Sequence, residues 1–129
     1  MSEMSDYLET KILDYVLRDT ADWAPTTVYL ALHTGDPTDV TDPTALGNEV
    51  NVARQAIEFD PTHADTGQTQ NTNVETFTSM PVATVSHIGI WDHESAGHLL
   101  FYTAVDASKT VASGDTISVA AGAITITLA

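Results

Sequence analysis

The sequence predicts a mainly β protein: an antiparallel, jelly-roll-like β-sandwich of about seven to eight strands with one N-terminal α-helix. Three observations carry that prediction. Helical periodicity occurs in one stretch only, near the N-terminus. From Thr26 onward, short alternating runs rich in Val, Ile, Thr and aromatic residues follow one another, separated by segments rich in Pro, Gly, Asp, Asn and Thr. At 129 residues the chain is long enough for one core and too short for two. It reads as a single domain, 1–129, with the helix within 1–20 and the sandwich within 26–129.

The helix is expected over "SDYLETKILDYVLRD", where Met4, Leu8, Ile12, Tyr15 and Val16 recur at steps of three and four and share a face. Ser5 is placed to cap it. Asp6 and Glu9 in the first turn and Arg18 in the last match the helix dipole, and Pro25 prevents continuation. Strands are expected in "TTVYLALHT", "VARQAIEFD", "NVETFTSMP", "TVSHIGIW", "HLLFYTAV", "TISVA" and "AITITLA". In the last, Ile124, Ile126 and Leu128 alternate with threonines. The segments "GDPTDVTDPTALGNE" and "PTHADTGQTQNT" have no periodicity and read as long loops.

The stretch "SHIGIWDHESAGHLLFYTAV" reads as the central hairpin, turning from Asp92 to Gly97. A tight antiparallel register would set Trp91 opposite His98, Ile90 opposite Leu99 and Ile88 opposite Phe101. Ile88, Ile90, Leu99 and Phe101 would then face the core together. His87 lies four residues from Trp91, roughly 13 Å at 3.3 Å per residue, too far to share a metal with His98 given zinc–nitrogen bonds of about 2 Å. A cluster of Asp92, His93, Glu94 and His98 around the turn remains. Its metal candidates are Asp92, His93 and His98, weighed against a solvated turn, which is the better reading because the spacing fits no ligand motif.

The other constellations point away from catalysis. Asp36, Asp39 and Asp42 lack the spacing and glycine of a calcium loop. There is no nucleophile elbow and no glycine-rich phosphate loop, so no catalytic residue and no cofactor are expected. Trp23, Trp91, Tyr29 and Tyr102 could form a sugar-stacking platform, although large rings in a small β-domain more often fill the core or an interface.

The charge balance is extreme: 18 Asp and Glu against 4 Lys and Arg give a net charge of −14, with a pI near 4.2. Such a surface repels nucleic-acid phosphate and anionic lipid, so neither nucleic acid nor membrane is an expected partner. So few lysines among so many carboxylates suit high salt, where the repulsion is screened within roughly 3 Å at 1 M. There is no cysteine for disulfide, thiol or Cys-zinc chemistry. The N-terminus carries no secretory pattern, so synthesis in the cytoplasm is expected.

Taken in order, "YLETKILDYVL", "APTTVYLALHTGDPT", "EVNVARQAIEF", "NVETFTSMPVATVSHIGIWDHESAGHLLFYTAV" and "SKTVASGDTISVAAGAITITL" resemble a family of small structural proteins of tailed bacteriophages, commonly described as tail-fibre or minor structural proteins. The resemblance carries no catalytic signature. It implies a non-enzymatic virion component, a β-sandwich forming homo-oligomers on a capsid, as decoration or vertex turret, or on a tail. Its partners would be copies of itself and the major capsid or tail proteins, with a host glycan as the alternative ligand. With the acidity, it suggests a haloarchaeal tailed virus. Interface candidates are Met4, Leu8 and Ile12 on the helix and Trp91 and His98 at the hairpin.

Overall fold

A computed structural model describes residues 3–18, 26–37, 48–60 and 67–127. Among the described residues the fold is mainly β with a single helix, and all paired strands are antiparallel. The order is β1 (Glu3–Met4), α1 (Asp6–Leu17), β2 (Val28–His33), β3 (Gln55–Ile57), β4 (Gln68–Gln70), β5 (Glu75–Phe77), β6 (Ala83–Trp91), β7 (Leu99–Val111), β8 (Ile117–Val119) and β9 (Thr125–Thr127). The described residues form nine strands where seven to eight are predicted. The additional ones are short: β1 precedes the helix, and β4 lies inside the polar segment read as a loop, where Gln68 to Gln70 pair with β9.

The strands form one five-stranded sheet, ordered β1-β7-β6-β2-β3, and two ribbons, β4-β9 and β5-β8. The main core lies between the sheet and the ribbons. Leu30, Leu32, Ile57, Ile88 and Ile90 come from the sheet; Phe77, Ile117, Ile124 and residues around them come from the ribbon side. Each fully buried side chain of this size contributes about 1.5–3 kcal/mol. Ile124 and Ile126 are both buried, as their alternation predicts.

The helix starts where expected. The Ser5 hydroxyl accepts from the Leu8 amide and donates to the Leu99 carbonyl, while the Ser5 amide donates to Leu100. One serine therefore caps α1 and ties it to β7. Met4 does not share the helical face: it lies in β1, paired with Phe101. Arg18 stands at the C-cap and pairs with Asp14 at 3.0 Å.

The central hairpin forms, with a register different from the tight one. Ile90 faces Phe101, Gly89 faces Tyr102 and Ile88 faces Thr103, and a shift then brings Trp91 opposite Leu99. The connection runs through Asp92–His98, and β7 carries an extra residue at Leu100. A one-residue insertion reverses which face later side chains occupy. Ile88, Ile90 and Phe101 stay with the main core, whereas Leu99 joins Ala31, Trp91 and Tyr102 in a second cluster. Periodicity alone could not detect that bulge.

Candidate functional site

The second cluster supports the hairpin tip. In β2 and β6 the register sets Tyr29 beside Trp91, Ala31 beside Gly89 and His33 beside His87. Gly89 is the gap in this row: a Cβ there would lie 2.8 Å from His33 Nε2 and 3.1 Å from Trp91 Nε1. Through that gap the indole N–H donates to His33 Nε2 at 3.4 Å. The other ring nitrogen, Nδ1, faces Asn48 Oδ1 at 3.2 Å, so it carries the proton and donates. His33 is thus a neutral, fully buried bridge. Burial holds its pKa below the ordinary 6.5, outweighing the Asn48 hydrogen bond and the nearby Glu49 charge, which raise it.

Arg54 covers a face of Trp91, its guanidinium carbon 4.1 Å from the ring centroid. Its side chain is 3% exposed. Nε and Nη2 donate to the two carboxylate oxygens of Glu49 at 2.8 and 2.7 Å, and Nη1 donates to the carbonyls of His93 and Ala96, each at 2.8 Å. One guanidinium therefore clamps the 49–54 segment to the tip. Desolvation of the cation is offset by a bidentate carboxylate, two carbonyls and an aromatic face.

The tip also braces itself. Asp92 Oδ1 accepts from the His98 amide at 2.6 Å, and Asp92 Oδ2 lies 3.5 Å from His98 Nδ1. The His98 ring stacks on Tyr7 of α1, with centroids 3.8 Å apart and planes 4° from parallel. His93 Nδ1 accepts from the amides of Ser95 and Ala96. Gly97 turns the chain at φ +76°, where a Cβ would fall 2.1 Å from Asp92 Oδ1. What stays open to solvent is the crest, His93 to Ala96.

Of the metal candidates, Asp92 and His98 adjoin, while His93 Nδ1 is directed at backbone amides. Among the described residues no group of three or more His, Asp or Glu is arranged to hold a metal ion. Asp39, Asp42 and Trp23 lie outside the described residues. Trp91 is 0% exposed, and it cannot offer a sugar its face or serve as a surface contact, because Arg54, His33 and Leu99 enclose it. Leu8 is also buried, whereas Met4, Ile12 and His98 are half-buried. The hairpin's own polar pattern did not point to His33, Asn48, Glu49 or Arg54. Arg54 had one visible signal: it is one of only four basic residues and sits inside an alternating strand run.

The model of the family described as Podophage GP4 fiber I protein gp80 matches residues 3–127. The chain belongs to that family. No curated protein matches it. Membership in the fiber I family identifies a virion structural protein of the tail-fibre type, in agreement with the resemblance read from the sequence. The match spans β1 to β9, so the braced tip and the Arg54 clamp both lie within the fiber I region. No helix among the described residues is long and apolar enough to cross a membrane.

Proposed function

We propose that the protein is a non-enzymatic structural component of a tailed-virus particle, assembling as a symmetric homo-oligomer on the tail or capsid and presenting the braced tip as a contact surface. The observation that carries this reading is the family match across residues 3–127. The chemistry of the site supports it. His33, Asp92, His93 and Arg54 commit polar atoms to neighbouring side chains and to backbone groups, as a scaffold requires. A reaction centre would aim such groups at a substrate. A tip held by a buried cation, an aromatic stack and a side-chain-bonded turn meets a partner with little ordering left to lose, which favours binding. The net charge of −14 supports a high-salt host, and with the family it favours a haloarchaeal tailed virus.

The particle provides the test. Mass spectrometry of purified virions should find the protein at a fixed, symmetry-related copy number, and labelled electron microscopy should place it on the tail or capsid. Its absence from purified particles would sink the proposal.

A further inference from the structure

Two imidazole nitrogens hold the hairpin tip by accepting hydrogen bonds. His33 Nε2 accepts from the Trp91 indole at 3.4 Å, and His93 Nδ1 accepts from the amides of Ser95 and Ala96, each at 3.1 Å. Both act on the crest. The Trp91 ring that His33 orients is the platform for Arg54, and Arg54 Nη1 binds the carbonyls of His93 and Ala96. The crest is thus held by its carbonyls through Arg54 and by its amides through the His93 ring. An imidazole accepts only while it is neutral, because both nitrogens of an imidazolium donate. The tip therefore depends on bonds that a proton abolishes, and imidazole is the side chain whose ordinary titration falls between about pH 5 and 8.

The surrounding charges set where the effect is felt. Glu49, Arg54 and His87 face His33; the first favours a proton on the ring and the other two oppose it, while burial opposes it most, so the ring takes up its proton below the ordinary 6.5. Once charged, its Nε2–H meets the indole N–H, which is left without an acceptor in a fully buried setting. His93 has Asp92 and Glu94 beside it in the turn and Arg54 on its own carbonyl. His98 works the other way. Its Nδ1 lies 3.5 Å from Asp92 Oδ2, so a proton tightens that pair. Asp92 and His98 form the neck of the loop, so acid strengthens the neck while it frees the crest above it.

We infer that the tip is a proton-operated latch: the crest His93–Ala96 is held while His33 Nε2 and His93 Nδ1 are bare, and it is released about an intact neck when both are protonated. The latch stands on this geometry. It rests on the proposed contact surface only for its consequence, which is that acid loosens the hold of the tip on its partner.

Nuclear magnetic resonance of the full chain in molar salt, titrated downward from about pH 7.5, tests it. The ring nitrogens of His33 and His93 report their own protonation, and hydrogen-exchange protection, corrected for the intrinsic pH dependence of exchange, reports opening. As the two rings take up protons, protection of the Ser95 and Ala96 amides and of the Trp91 indole should fall about tenfold, the equilibrium effect of losing one hydrogen bond. The amides of β2, β6 and His98 should keep theirs. His33→Gln retains an acceptor for the indole and a donor for Asn48, and His93→Asn retains an acceptor for the two amides; neither replacement titrates. The double variant, its fold verified by circular dichroism, should keep the tip protection that wild type loses. Wild-type protection that is unchanged once both rings are charged overturns the latch, whether or not the variant folds. Loss of β2 and β6 protection together with that of the tip also overturns it, because the whole fold is then opening. A double variant that opens like wild type assigns the release to another group. Purified particles washed at the two extremes of pH separate the readings: an opened crest with the protein still retained leaves the latch standing and overturns the tip as the contact surface.

Discussion

Arg54 and His33 both contact Trp91, and each makes a distinct prediction. Removing the guanidinium leaves Glu49 and two carbonyls without their donor in a largely buried setting. Arg54→Ala should cost about 3 kcal/mol in a denaturant titration. Arg54→Lys should recover little, because an ammonium can neither bind both carboxylate oxygens nor lie flat on the indole. A Lys variant of wild-type stability would refute the clamp. His33 governs the acid side. Its folded-state pKa lies below 6.5, so below that pH the unfolded chain binds more protons. Stability should fall as pH drops from about 6.5, and His33→Gln, which can neither gain nor lose that proton, should flatten the fall. Glu75 runs the other way. Burial first, and then the Glu58 charge, raise its pKa above 4.5, so the folded state binds more protons and stability declines as pH rises past that value. Glu75→Gln should therefore stabilise the protein at neutral pH; melting temperatures that do not rise would count against a buried charge there.

Within elements, the hairpin shows how far sequence patterns reach. Alternation locates β6 and β7, and it assigns Ile88, Ile90 and Phe101 to the core. The register depends on two features that have no period: the Asp92–His98 loop, fixed by side-chain to backbone bonds, and the extra residue at Leu100. Leu99 changes face for that reason alone. The helix start at Ser5 was legible because a cap is a local signal, whereas the exposure of Val16 and Leu17 depends on where the rest of the chain ends beneath them. The site was the least legible part. Arg54 and His93 are 39 residues apart, and nothing local links them. Gly97→Ala tests the loop directly. It forces a left-handed residue to carry a Cβ against Asp92, at a cost of about 1–3 kcal/mol. The His98 amide should then exchange its proton faster, and an unchanged exchange rate would mean that the Asp92 brace does not hold the tip.

At the scale of the whole molecule, the charge of −14 acts on every contact at once. Packing must outweigh a repulsion whose range is about 10 Å at 0.1 M salt and about 3 Å at 1 M. The denaturation midpoint should therefore rise as potassium chloride is increased from low to molar concentration, and the ellipticity of the folded state should diminish on dilution into low salt. Salts also strengthen apolar burial, so the two causes must be separated. An uncharged excluded solute such as sucrose shifts the burial term without screening, and it should recover only part of the gain. Replacing exposed acids far from the clamp, for example Glu9→Gln and Asp106→Asn, lowers the repulsion with little effect on apolar burial. Such a variant should be more stable than wild type in low salt and converge with it in molar salt. A constant difference at all ionic strengths would show that the carboxylates act through local contacts, and a fold indifferent to salt would remove the physical ground for a high-salt habitat.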